Sequence, residues 1–86
     1  MKVTIYTTSV CPYCAAAKTL LSNRQVNFTE IDVSTRPDLR EEMIRRSGRR
    51  TVPQIFIGET HVGGYDDLAA LDGAGRLNAL LQENRV

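Results

Sequence analysis

An α/β fold with a mixed sheet is the class this sequence predicts, on three observations. Short β-branched or alternating segments recur at four places, helix-forming runs lie between and after them, and their order reads β-α-β, then α, then a β-hairpin, then α. A helical crossover between the first two strands makes them parallel and right-handed in connection, and the hairpin adds antiparallel strands.

Each element has its own signal. "KVTIYTT" places Val3 and Ile5 among polar, β-branched neighbours, a strand with one well-packed face. "PYCAAAKTLLSNR" is rich in Ala, Leu and Lys, and Pro12 suits a first helical position, where its missing N–H costs nothing. "VNFTEIDV" reads as the second strand, with Val26, Phe28, Ile31 and Val33 apolar and a change of register between Phe28 and Ile31. The second helix, in "STRPDLREEMIRRSG", is expected to be capped by Ser34 or Thr35. It has Pro37 in its first turn, Leu39, Met43 and Ile44 on one face, and Gly48 as its stop. "VPQIFIG" and "THVGG" make a hairpin around Gly58-Glu59, and "YDDLAALDGAGRLNALLQEN" is a final helix broken by Gly73 and Gly75.

Bulk composition narrows the function classes. At 86 residues the chain is expected to be a single domain over 1–86, without repeats or linkers. Hydrophobic residues make up 42% and charged residues 24%, ordinary globular usage that argues against disorder. A net charge of +1 supplies no global field toward nucleic acid or an anionic membrane. No apolar run reaches the ~20 residues of a membrane span, and "MKVTIYTTSV" is too polar for a secretory segment, so a cytoplasmic protein is expected.

Chemistry concentrates in "SVCPYCAAAK", which holds both cysteines. A bridge closing so short a loop constrains the unfolded chain little, which argues against a structural staple. A structural zinc site needs four ligands, and the chain offers two cysteines and the lone His61. A single-chain iron–sulfur cluster fails on the same count, although two chains could share one through Cys11 and outside thiols. Inert packing as small hydrophobes fits poorly with a strand-to-helix turn beside a Pro-Tyr pair. At a helix N-terminus, unpaired N–H groups and the positive end of the dipole favour a thiolate, so Cys11 is expected to titrate below the ~8.5 of free cysteine and act as nucleophile. Cys14, one turn further in, is expected to stay protonated and serve as the resolving thiol.

Three segments then carry a family resemblance. "CPYC" at 11–14, "TVPQIFI" at 51–57 and "HVGGYDDL" at 61–68 stand in the order and spacing of glutaredoxins. "REEMIRRSGRRTVPQIFI" is similar to small bacterial glutaredoxins of the third type, and the resemblance covers essentially the whole chain. It implies a thioredoxin fold, a four-stranded mixed sheet flanked by helices. It also implies a glutathione-dependent oxidoreductase that reduces protein disulfides and glutathione mixed disulfides, with glutathione as electron donor and no tightly bound cofactor or metal. Its partners would be glutathione and disulfide-containing or glutathionylated proteins; the charge and hydropathy above argue against nucleic acid or membrane, and a monomer is expected.

The resemblance also names a glutathione site. It implies a cis bond before Pro53, which would leave Val52 offering its backbone N–H and C=O to an extended peptide beside Thr51. Gly63 and Gly64 permit close backbone approach, the amides of Tyr65 and Asp66 suit a carboxylate, and Asp66 or Asp67 could pair an ammonium or simply cap the helix. Tyr13 is expected to pack against the mixed disulfide. The pattern departs at Thr8, where many glutaredoxins carry lysine; Arg49 or Arg50 could supply the missing cation. "RRSGRR" lacks the aromatic interleaving of a nucleic-acid patch, and Arg45 and Arg46 read as a solvated helix end. His61 is expected to be structural.

Two other readings stay in play. One is a glutaredoxin-like donor reduced by thioredoxin reductase, against which the intact "TVP" and "GGYDD" segments stand. The other is a cluster-bridging dimer, against which Pro12 stands, because the family's cluster-bearing members tend to lack it.

Overall fold

The computed structural model describes residues 2–83. Its elements run β1 (Val3–Thr7), α1 (Pro12–Asn23), β2 (Thr29–Asp32), α2 (Pro37–Ser47), β3 (Gln54–Ile57), β4 (Thr60–Gly63), α3 (Tyr65–Gly73) and α4 (Leu77–Glu83). The four strands form one mixed sheet in the order β2-β1-β3-β4. β1 is parallel to β2 and antiparallel to β3, and β3 is antiparallel to β4, with an irregularity between Ile55 and Phe56. This is the thioredoxin-type arrangement that the family resemblance implied.

Side-chain alternation divides the core in two. Val3, Ile5, Ile55 and Ile57 project to one face, where Ala17 and Leu21 of α1, Leu68 of α3 and Leu77 of α4 cover them. Tyr6 and Phe56 project to the other, against Met43 of α2 and Val33, with Leu39 and Ile44 completing the cover. The face expected for α2 is therefore the face it buries.

β1 departs from the expectation of one packed face, because all five of its residues are buried. It is an interior strand with helices above and below, so its polar residues must find partners inside. Thr7 does so by donating its hydroxyl to Glu30 at 2.7 Å. β2 is shorter than its apolar pattern. Phe28 and Val26 pack on the first core cluster while Ile31 and Val33 belong to the second, which explains the register change as a crossing between faces.

Helix ends follow local chemistry with one exception. Pro12 and Pro37 occupy first turns, Gly48 ends α2 with φ +73°, and a break after Gly73 separates α3 from α4. The residue preceding α2 is Arg36, not Ser34 or Thr35, and it makes no side-chain cap bond. Ser34 is drawn away to the loop that follows β1. A bidentate pair from Arg24 to Asp72, at 2.7 and 2.8 Å, ties the end of α1 to α3.

Truncating the side chain that joins α1 to the sheet is expected to be costly. Leu21 is fully buried, so Leu21→Ala should lower unfolding free energy by about 2–5 kcal/mol in urea titration. A loss below about 1 kcal/mol would mean that the first core cluster does not anchor α1. Arg24→Ala, on an exposed pair, should cost far less.

Candidate functional site

The loop after β1 delivers the cysteines, and it is tied down on one side. Ser9 N–H donates to Ser34 Oγ at 2.8 Å, Ser9 Oγ donates to Asp32 Oδ2 at 3.3 Å, and Ser34 N–H donates to Asp32 Oδ1 at 2.8 Å. These donors, with the Ser34 backbone first, hold the Asp32 carboxyl below its usual range. The small polar residues at the ends of two parallel strands were the available signal for this clasp, and sequence reasoning missed it.

Cys11 is the N-cap of α1, with an extended backbone, and its sulfur accepts the Cys14 N–H at 3.1 Å. A sulfur at this position takes the place of the oxygen in an ordinary cap and meets one of the helix's unpaired donors. Cys11 and Cys14 are joined as a disulfide, with Cα atoms 5.2 Å apart. The two sulfurs differ sharply in access: Cys14 is 1% exposed, whereas Cys11 is only partly buried. Among the described residues the exposed large apolar side chains are Val10, just before the pair, at 91% and Tyr13, between the two cysteines, at 64%.

Beyond the pair lies an open groove of about 210 Å³. All eight residues expected to bind glutathione line it, from Tyr13 through Thr51, Val52 and Pro53 to Gly64, Tyr65, Asp66 and Asp67, and Arg49 joins them. Larger clefts exist, such as one between Arg24 and Leu81 of about 390 Å³, but its lining includes no neighbour of the cysteine pair, whereas the groove is lined by Tyr13 and Val52. The Val52–Pro53 bond is cis, and the Val52 carbonyl oxygen lies 4.0 Å from Cys11 Sγ. Tyr13 and Tyr65 face one another with ring centroids 6.3 Å apart.

The two aspartates of "GGYDD" separate in role. Asp67 Oδ2 accepts the Gly64 N–H at 2.9 Å and pairs with Arg49 Nη1 at 3.2 Å. The Gly64 bond first, then Arg49, pulls its carboxyl below the usual range. Asp66 is exposed and in no such bond. Gly63, at φ +119°, is required twice over: the backbone angle is left-handed, and a Cβ there would collide with Asp67 Oδ2 and stand 2.8 Å from its Cγ.

Basic residues are placed more specifically than the sequence suggested. Arg49 reaches the groove, while Arg50 contributes a carbonyl to Arg40 instead. Arg46 is not simply solvated, because its guanidinium lies 4.1 Å from the Phe56 ring centre and donates to the Tyr6 hydroxyl at 2.8 Å. Lys18 is paired with Glu30 at 3.0 Å, beside the Thr7 hydroxyl. His61 bonds Gln54 and rests against Phe56; burial and then Arg49 push its pKa down, with Asp67 opposing. Among the described residues no three His, Cys, Asp or Glu side chains gather as metal ligands.

The family model for glutaredoxin matches residues 3–62. This chain belongs to the glutaredoxin family. A glutaredoxin of Pseudomonas aeruginosa is 60% identical over 79 residues, spanning 92% of this chain and 94% of the relative. The solution structure of glutaredoxin from Brucella melitensis superposes with a TM-score of 0.87 at 55% identity, covering 100% of this chain and 94% of that one. A crystal structure of a buckwheat glutaredoxin–glutathione complex gives a TM-score of 0.86 at 27% identity, over 95% of this chain and 77% of that chain. Membership in this family, with the cysteine pair in place, makes the protein a thiol–disulfide oxidoreductase.

Asp67 should show itself in the pH dependence of stability. A carboxyl whose folded pKa is depressed stabilises the fold above its unfolded value of about 3.9, and that contribution fades as pH falls through the lower folded value. Asp67→Ala is therefore expected to cost about 1 kcal/mol near pH 7 and progressively less below pH 4, measured by urea unfolding across pH. A difference that stays constant down to pH 2 would remove the carboxylate from the explanation.

Proposed function

We propose that the protein is a glutathione-dependent reductant of protein disulfides and glutathione mixed disulfides, with Cys11 as nucleophile and Cys14 as resolving thiol. The observation that carries this reading is an open groove whose Val52 carbonyl lies 4.0 Å from the more accessible sulfur, Cys11 Sγ, at the start of α1. A glutathione complex is known for a buckwheat glutaredoxin of similar fold, which supports glutathione as the occupant.

The chemistry follows from the difference between the sulfurs. In the reduced state a Cys11 thiolate would keep the Cys14 N–H as a donor and lie at the positive end of the α1 dipole, both favouring the charge. It attacks the glutathione sulfur of a mixed disulfide; the S–S bond breaks, the substrate leaves as thiolate, and Cys11 carries the glutathione. A glutathione thiolate then attacks that bound glutathione sulfur, releasing glutathione disulfide and restoring Cys11. With a protein disulfide, Cys11 attacks one sulfur and the deprotonated Cys14 displaces the substrate from Cys11, leaving the Cys11–Cys14 bridge. Two glutathione molecules then reduce the bridge and depart as their disulfide. Reducing a protein disulfide takes two electrons from two glutathiones, whereas release of a mixed disulfide consumes one, the other half of the glutathione disulfide coming from the substrate.

The groove suits a zwitterionic tripeptide in extended form. Val52 offers backbone groups for strand-like pairing with the peptide, and Tyr13 with Tyr65 provides an aromatic wall near the mixed disulfide. The Tyr65 and Asp66 amides begin α3 and suit the γ-glutamyl carboxylate. Asp66 is available for the ammonium, because Asp67 already caps the turn. Arg49 is the cation for the remaining carboxylate and takes the part that the absent lysine at Thr8 leaves open. We place the protein in the cytoplasm as a monomer, acting on disulfide-bearing or glutathionylated proteins without a bound cofactor.

Glutathione-coupled reduction of a small glutathione mixed disulfide tests the assignment. Cys11→Ser is expected to fall to the uncatalysed rate, and Cys14→Ser to retain turnover of that substrate while losing reduction of a protein disulfide. Full activity in Cys11→Ser would overturn it.

A further inference from the structure

Gln54 is a fully buried polar side chain between the groove and the hairpin histidine. Its Nε2 lies 3.0 Å from the Thr51 carbonyl oxygen and 3.3 Å from Thr51 Oγ1, and its Oε1 lies 2.7 Å from His61 Nε2. Only one assignment satisfies this arrangement. A carbonyl accepts and cannot donate, so the atom facing Thr51 must be the amide NH2, and the amide oxygen must face His61. His61 must therefore carry its proton on Nε2 and donate it.

The consequence reaches the groove through one residue. Thr51 lines the groove itself and leads directly into Val52, whose carbonyl lies 4.0 Å from Cys11 Sγ. With His61 donating, the amide of Gln54 has a single orientation, and its two donors hold Thr51 at both backbone and hydroxyl. Without that donor, Gln54 Oε1 would be buried and unpaired, and a turn of the amide to relieve it would release Thr51. His61 is itself steadied by Phe56, with ring centres 4.9 Å apart.

We propose that His61 is a positioning residue for the glutathione groove, acting through Gln54 to hold the Thr51–Val52 wall in its binding geometry. The proposal rests on the reading of that groove as a glutathione site. It assigns His61 no proton transfer and no contact with substrate. Glutamine is the conservative replacement, since its terminal amide can supply the same donor to Gln54, whereas leucine fills space and donates nothing.

Two measurements on the full chain decide it. The first is hydrogen exchange of the Gln54 side-chain amide by NMR with no glutathione present. Exchange should accelerate about tenfold or more in His61→Leu and stay near wild type in His61→Gln. The second is steady-state turnover against glutathione. His61→Leu and Gln54→Leu are each expected to raise KM for glutathione about five- to tenfold with kcat within about twofold, and His61→Gln to restore KM. Unchanged exchange and unchanged KM in His61→Leu would overturn the proposal. Equal impairment in His61→Gln and His61→Leu would also overturn it, because the ring's packing and not its donor would then matter. Gln54→Leu, which removes the amide from the other end, serves if His61→Leu fails to fold. Absence of any glutathione turnover in wild type would sink the glutathione reading, while the exchange comparison would still judge the hydrogen-bond relay.

Discussion

Burial of β1 on both faces determines where the reactive cysteines stand, because an interior strand has no freedom to shift or tilt without breaking two ladders and two core clusters. β2 and β3 hold it laterally, and Leu21 and Met43 belong to the helical layers above and below. The chain leaves this strand at Thr7 and starts α1 at Pro12, so only four residues separate a rigid origin from a rigid helix. The Ser9, Asp32 and Ser34 clasp removes most of what freedom remains. Cys11 inherits its position from that confinement, and its sulfur then meets the N–H of Cys14.

The second wall of the groove depends on the same strand through a different partner. β3 pairs with β1, and the turn carrying Val52 and Pro53 enters β3 directly, so Val52 and Cys11 approach one another as neighbours across the β1–β3 ladder end. β4 and the start of α3 bring the third wall. Here a single carboxylate serves two purposes: Asp67 holds the Gly64 N–H, closing the turn, and pairs with Arg49, orienting a cation at the groove's edge. Gly63 allows the close approach this requires. Electrostatics at the site are therefore local, consistent with a chain whose net charge is only +1.

Much of the fold was legible in the sequence because its signals are short-range. Pro12, Pro37 and Gly48 mark helix boundaries through properties of their own backbones, and the apolar pattern of α2 needs no knowledge of what it packs on. The eight groove residues were legible through family resemblance, since the motifs stand in a characteristic order. What failed has a common cause. Local propensity favours Ser34 or Thr35 as the cap of α2, but Ser34 has a partner twenty-five positions away. The alternation of β1 suits one packed face, but its neighbours bury both. A helix-end arginine such as Arg46 suits solvent, yet it lies over Phe56. Each miss involves a competing contact distant in sequence.

By itself, the sequence determined the element order, the mixed sheet, the membership implied by "CPYC", "TVP" and "GGYDD", and the distinct stations of two cysteines one helical turn apart. Those follow from backbone preferences, hydrophobic period and motif spacing, all of which act over a few residues. Only the tertiary structure decided that Asp67 and not Asp66 closes the turn, that Arg49 and not Arg50 enters the groove, and that Gln54 links His61 to Thr51. The physical reason is that neighbouring residues of the same type have nearly the same local propensities. They are told apart by which atoms the folded chain brings within hydrogen-bonding distance.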